Sequence, residues 1–264
     1  MRTNVVRERI AVGEPVVNAW LAIGSGYSAE GMGHAGFHSA TVDLQHGMIG
    51  FSEALTMLQA ISATPATPLV RVPELNESKI MHLLDAGALG VICPMISTPE
   101  EARRLVAACR YPPQGIRSFG PARGLLYGGT DYVAAANANI MAIPMIETAE
   151  GVARIDEILE VAGIDMVYLG PNDMAYAMDG HVGGERPNAE RAIRHVLDCA
   201  TRKGIPVGIF CATADEALER LSQGFAMVSP ANDFSHLTRS GAEAVRRILA
   251  GNQPPAKAAA SHGY

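Results

Sequence analysis

The stretch MAIPMIETAEG (141–151) decides the reading of this chain: an apolar run of strand length that stops at Glu147 and passes into a segment of helical character. A second stretch, VYLGPNDMA (167–175), repeats the pattern and places Asp173 just after its apolar run. Six further runs share this strand character: VVNAWLAIG (16–24), SATVDL (39–44), PLVRV (68–72), LGVICPM (89–95), IPVGIF (205–210) and FAMVSP (225–230). With IMAIPMI (140–146) and DMVYLG (165–170) they predict eight strands. Helical patterns with start and stop signals lie between them. SEALTMLQAI opens at Ser52, NESKIMHLLDAG closes at Gly87, and TPEEARRLVAAC opens with Thr98 and Pro99. Apolar strands flanked on both sides by helices are parallel strands buried on both faces, and eight such units predict an α/β fold of the (β/α)8 TIM-barrel type.

One barrel would occupy residues 1–250 of the 264, and the tail GNQPPAKAAASHGY (251–264) carries no periodic pattern and is expected to be disordered. Two other stretches interrupt the repeat. YPPQGIRSFGPARGLLYGGTDY (111–132) and PNDMAYAMDGHVGGERPN (171–188) read as long loops, which in compact domains are usually functional.

With 48% hydrophobic residues, 18% charged residues and a net charge of -6, the chain has no basic face for nucleic acid or an anionic membrane, and a small-molecule partner is expected. No run approaches a membrane span, and MRTNVVRERI lacks the apolar core of a secretory signal, so a cytoplasmic location is expected. Cys93, Cys109, Cys199 and Cys211 are too far apart for a Cys-x-x-Cys site and read as reduced packing residues.

Barrel chemistry gathers at the C-terminal ends of the strands. There the sequence places Asp43, Gln45 and His46 after strand two, Arg71 on strand three, Glu147 after strand five and Asp173 after strand six. Two carboxylates at matching strand ends suit a hard divalent cation whose other positions are left to water and substrate. The competing explanation, that each acid caps the helix that follows, fits either one alone. His46 has the chemistry of a general base, and Arg71 that of a group stabilising a developing oxyanion. Only Lys79, Lys203 and Lys257 are present, none at a strand end, which disfavours Schiff-base chemistry and leaves a metal as the electron sink.

A rival reading rests on GSGYSA, where Gly24, Gly26 and Ala29 match the G-x-G-x-x-A dinucleotide pattern with Asp43 downstream, as in an NAD(P)-dependent oxidoreductase. The segment that follows is poor in helix formers, and this reading leaves His46 idle.

The stretches GYSAEGMGHAGF, VDLQHG, VRVPELNESKIMHLLDAGALGVICPMI, EARRLVAACRYPPQGIRSFG, IETAEGVARIDEIL and VYLGPNDMA together resemble the HpcH/HpaI family of class II pyruvate aldolases over roughly residues 15–245. The resemblance implies a metal-dependent aldolase that cleaves 4-hydroxy-2-oxo acids into pyruvate or hydroxypyruvate and an aldehyde, with oxaloacetate decarboxylase as an alternative on the same enolate. It implies a barrel whose last helix packs on a neighbour in a homo-oligomer, a trimer or a hexamer. By position it makes Glu147 and Asp173 ligands of Mg2+, Mn2+ or Co2+, Arg71 the enolate-stabilising arginine and His46 the histidine of the base. Asp85 in LLDAG would support His46 through water, Trp20 would line the pocket, and the backbone of Gly170, Pro171, Asn172 and Asp173 would hold the substrate carboxylate. Two departures bear on substrate preference: Gln45 stands where many relatives have Glu, and Met145 where many have Gln. Arg117 and Arg123, in the first long loop, could reach a distal substrate carboxylate or a neighbouring subunit, or equally could anchor their own loop.

Overall fold

A computed structural model describes residues 1–251 of the chain; the sequence-predicted tail lies outside the described residues except for Gly251, which ends the last helix. The strands are β1 (Val16–Leu21), β2 (Ser39–Asp43), β3 (Thr67–Arg71) and β4 (Gly90–Cys93), then β5 (Met141–Ile146), β6 (Val167–Leu169), β7 (Val207–Cys211) and β8 (Met227–Pro230). All neighbours pair in parallel and β8 returns to β1, so the predicted eight strands close a barrel.

Two-residue periodicity divides each strand between two cores. Val42, Val70, Val91, Ala142, Val167, Ile209 and Val228 face outward, where they pack with the inner faces of the helices. Val16, Trp20, Leu69, Ile92, Met141, Ile143, Met145, Met166, Tyr168 and Met227 face the barrel axis. Among these sits a polar layer: the Asn18 amide donates to Ser229 Oγ at 2.9 Å and accepts from Ser39 and Thr41 at 2.8 and 3.0 Å. Tyr168 shares a 2.6 Å hydrogen bond with the same serine. The short helix Val5–Ala11 closes the N-terminal end, with Val6 fully buried in the axial core.

The same parity carries chemistry to the other end. Trp20, Asp43, Arg71 and Met145 are the last inward positions of their strands, and Glu147 and Gly170 continue the inward series of β5 and β6.

Both long loops are more ordered than the sequence suggests. Residues 111–132 contain the helix Ala122–Gly128, and residues 171–188 contain Pro171–Asp179, which starts with proline at its first turn and stops at Gly180 with φ 78°. The first of these segments follows a helix and precedes β5, so it lies at the N-terminal end of the strands.

Candidate active site

At the C-terminal end of the barrel a cavity of about 230 Å³ opens between β1, β2, β3, β5, β6 and β7. Its wall brings together Trp20, Asp43, His46, Arg71, Met145, Gly170, Pro171, Asn172 and Asp173, all singled out in the sequence, and adds Ala22, Phe210 and Asn232.

Asp43 and Arg71 form the rigid centre. They are register partners on neighbouring strands, and the guanidinium donates through Nε to Oδ1 at 2.8 Å and through Nη2 to Oδ2 at 2.7 Å. Both side chains are buried, Arg71 8% and Asp43 3% exposed, so the fork-to-fork geometry is what offsets their desolvation. Asp43 also accepts from the Trp20 indole at 3.1 Å and from the backbone N–H groups of Gln45 and His46 at 3.0 and 3.3 Å. Burial opposes its charge, but these donors and the charge of Arg71 outweigh burial and hold its carboxyl below the usual carboxylate range. The loop carrying His46 is therefore clamped by the same carboxylate that orients Arg71.

The third guanidinium nitrogen is different. Arg71 Nη1 faces only the thioether of Met145, at 3.9 Å, a weak acceptor. One edge of a buried cation is thus left for a ligand. The indole of Trp20 lies under the guanidinium, 4.9 Å from ring centroid to Cζ, and is itself packed against Tyr168 and Phe210 at 5.4 and 5.7 Å.

Glu147 is 2% exposed. Its Oε1 accepts from the backbone N–H of Met95 at 2.8 Å, and Met95 adopts φ 60°, an uncommon backbone for a residue with a side chain. Oε2 is buried and has no hydrogen-bond partner. A Cβ on Gly170 would lie 2.3 Å from Oε2, so this position admits glycine alone while the carboxylate stays in place. Burial pushes the Glu147 carboxyl up to about 7, with the charge of nearby Asp173 adding to the rise and the Met95 N–H and Arg71 opposing it. Helix capping does not explain the residue, because Thr148 supplies the cap of the helix Ala149–Ala153. Among the described residues no group of three or more His, Cys, Asp or Glu side chains converges. An ion held here would have two protein carboxylates and complete its shell with water and substrate, as hard cations do.

Three sequence-predicted residues lie elsewhere. Asp85 ends the helix Glu77–Asp85 at the opposite end of the barrel from His46, and its carboxylate is taken by Arg117 at 2.7 Å. Within one chain it does not meet His46, and Asp43 is the carboxylate that holds the histidine loop. Arg117 is wholly buried beside Tyr111 and Tyr132, while Arg123 donates to Ala86 O and Ser62 Oγ at 2.7 and 2.8 Å. Within one chain, neither reaches the cavity. The described lysines are also remote, Lys79 paired with Glu74 and Lys203 with Glu160.

The dinucleotide reading fails on the fold. The sheet is a closed barrel rather than an open doubly wound sheet, and Asp43 is bound by Arg71 and Trp20 instead of standing free for a ribose.

Residues 17–240 match the model of the HpcH/HpaI aldolase/citrate lyase family. The chain belongs to that family. It is 40% identical over 250 residues to a hydroxypyruvate/pyruvate aldolase of Rhizorhabdus wittichii, covering 94% of this chain and 98% of that protein. A 5-keto-4-deoxy-D-glucarate aldolase of Escherichia coli is 33% identical over 234 residues, covering 88% and 91%. The crystal structure of an HpcH/HpaI aldolase/citrate lyase family protein from Burkholderia cenocepacia superposes with a TM-score of 0.87 at 31% identity, covering 94% of this chain and all of that one. This HpcH/HpaI member is accordingly an enzyme of the aldolase type. Among its described residues no helix is long and apolar enough to cross a membrane.

Proposed function

We propose that this chain is a divalent-metal-dependent aldolase that reversibly joins pyruvate or hydroxypyruvate to an aldehyde, giving a 4-hydroxy-2-oxo acid. The observation that carries the metal is the unpartnered, buried Oε2 of Glu147 close to Asp173, a pair of acids whose proximity favours a shared cation. Glu147 and Asp173 would hold Mg2+, Mn2+ or Co2+. Such an ion supplies Lewis acidity to a 2-oxo acid, lowering the cost of removing a C3 proton.

The chain's own residues do the rest. Gly170, Pro171, Asn172 and Asp173, at the positive end of the helix Pro171–Asp179, line the cavity, and backbone N–H groups there would bind the substrate carboxylate. Arg71 Nη1, free of a strong acceptor, would stabilise the enolate oxygen. His46 would take the C3 proton in synthesis, and in cleavage the hydroxyl proton, while Asp43 keeps its loop and Arg71 in place. Trp20, Met145 and Phe210 line the apolar side of the cavity and would keep water from it.

The free, buried cysteines suit a reducing, cytoplasmic setting. Exposed Phe234, Leu237, Val245, Ile248 and Leu249 along the helix Asp233–Gly251 favour its burial on a second copy, in a trimer or hexamer.

The test compares wild type with the double variant Glu147→Gln, Asp173→Asn. Metal binding by calorimetry and pyruvate release from 4-hydroxy-2-oxo acids should both vanish in the variant while its circular dichroism is unchanged. Undiminished metal affinity in the variant would remove these residues from the metal site.

A further inference from the structure

Besides the space that pyruvate and an ion take in the first cavity, an aldol reaction needs the acceptor carbonyl beside C3 and room for whatever the aldehyde carries. A second cavity of about 210 Å³ adjoins it and shares Pro171, Asn172 and Phe210 as a common wall. Its far side presents Arg186 and Glu216, whose side chains are 17% and 20% exposed. With Arg117 and Arg123 tied down at the other end of the barrel, Arg186 is the arginine this neighbouring space offers.

The guanidinium of Arg186 is loosely held. Nη1 reaches Asn172 Oδ1 at 3.4 Å, Nη2 reaches Glu216 Oε1 at 3.5 Å, and Nε lies 3.7 Å from Glu190 Oε1. Charge-assisted hydrogen bonds are ordinarily about 2.7–2.9 Å. Glu190 is engaged more tightly by Arg220, through two hydrogen bonds of 2.8 and 2.7 Å. Glu216 Oε2 accepts from the Ala212 N–H at 2.7 Å, leaving Oε1 with only long contacts, to Arg186 and Arg220, both at 3.5 Å. Arg186 therefore has donors to give and Glu216 an acceptor oxygen, side by side on one wall.

Charge decides what they would bind. Glu216 lies 3.5 Å from Arg186, so a ligand carboxylate approaching Arg186 would also meet the carboxylate of Glu216. A hydroxyl group both accepts from Arg186 and donates to Glu216, satisfying each without introducing charge.

We propose that this second cavity is the acceptor subsite, and that Arg186 and Glu216 select aldehydes bearing hydroxyl groups. The inference rests on the aldolase reading above. In the reaction C3 of the enolate forms a bond to the aldehyde carbon, the carbonyl π pair moves to oxygen, and that oxygen takes a proton, so no further reactant is required.

The test uses the metal-loaded full chain, with Arg186→Met and Glu216→Gln as independent variants; glutamine keeps the acceptor for the Ala212 N–H. Pyruvate addition is measured to glyceraldehyde, propanal and succinic semialdehyde, alongside deuterium exchange of pyruvate or hydroxypyruvate alone. The wild type should favour glyceraldehyde. Each variant should lower kcat/KM for glyceraldehyde about tenfold or more while propanal rates and pyruvate exchange stay unchanged. Equal losses on glyceraldehyde and propanal would overturn the subsite and make both residues structural. A wild-type preference for succinic semialdehyde that Arg186→Met removes would replace hydroxyl selection by a carboxylate anchor. Absence of exchange with both pyruvate and hydroxypyruvate in the wild type would instead overturn the aldolase reading, and the subsite with it.

Discussion

Arg71 and Asp43 are register partners on adjacent strands, joined by two hydrogen bonds of 2.8 and 2.7 Å that leave Nη1 of the guanidinium with only the thioether of Met145 as an acceptor. The pair fixes a cation without spending its whole hydrogen-bonding capacity. Replacing Arg71 by Ala should lower kcat by on the order of 10²-fold or more, since an oxyanion partner is lost. Lysine should rescue little, because a single ammonium cannot reproduce the fork. A change confined to KM would make Arg71 a binding residue only.

Asp43→Asn tests the other half. The buried guanidinium would lose its charge partner, a loss of about 3–5 kcal/mol for a fully removed partner and less for an isosteric amide. Trp20 is the single tryptophan of the chain, and its indole N–H bonds Asp43, so a shift in intrinsic fluorescence should accompany the fall in kcat. Unaltered emission with unaltered kcat would show that Asp43 does not organise the site.

Gly170 makes a steric prediction. A Cβ there would lie 2.3 Å from Glu147 Oε2 and 2.8 Å from Met145 Cε, so Gly170→Ala should push the carboxylate aside. Metal affinity should fall about tenfold or more, with the fold retained, as read by calorimetry and circular dichroism. Wild-type affinity in this variant would place the ion away from Oε2.

The pH dependence follows from Glu147. Its folded-state value, about 7, lies above the ordinary 4.5, so its contribution to the stability of the metal-free protein is full below the ordinary value and is lost as pH rises through about 7. An ion needs the ionised carboxylate, so its binding should strengthen over the same interval. The rise in Tm on adding Mn2+ should therefore grow from about pH 5 to about pH 8. Glu147→Gln should flatten that profile, and an unchanged slope in the variant would assign the titration to another group.

Much of this was legible in the sequence. The eight apolar runs separated by helix signals gave every strand, and Glu147 and Asp173 stood out because each follows such a run directly. What the sequence hid was register and facing. That Asp43 lies opposite Arg71, and so clamps the His46 loop, depends on the alignment of β2 with β3, which no local pattern encodes. Asp85 entered only through resemblance, and its position at the end of a helix puts it at the far end of the barrel within one chain. The side of Arg117 and Arg123 was readable in principle: residues 111–132 follow a helix and precede a strand, which in a barrel assigns them to the N-terminal face. Arg186 carried no local signal, since the cavity that makes it relevant is formed by segments distant in sequence.

Deuterium exchange of pyruvate tests the central claim most directly, because it needs no acceptor aldehyde. Metal-stripped protein is incubated with pyruvate in deuterated water, with and without Mn2+ or Mg2+, and the methyl signal is followed by proton NMR. Exchange should require the metal and disappear in the Glu147→Gln, Asp173→Asn variant. Failure of both pyruvate and hydroxypyruvate to exchange with Mg2+, Mn2+ and Co2+ would contradict enolate chemistry at this site.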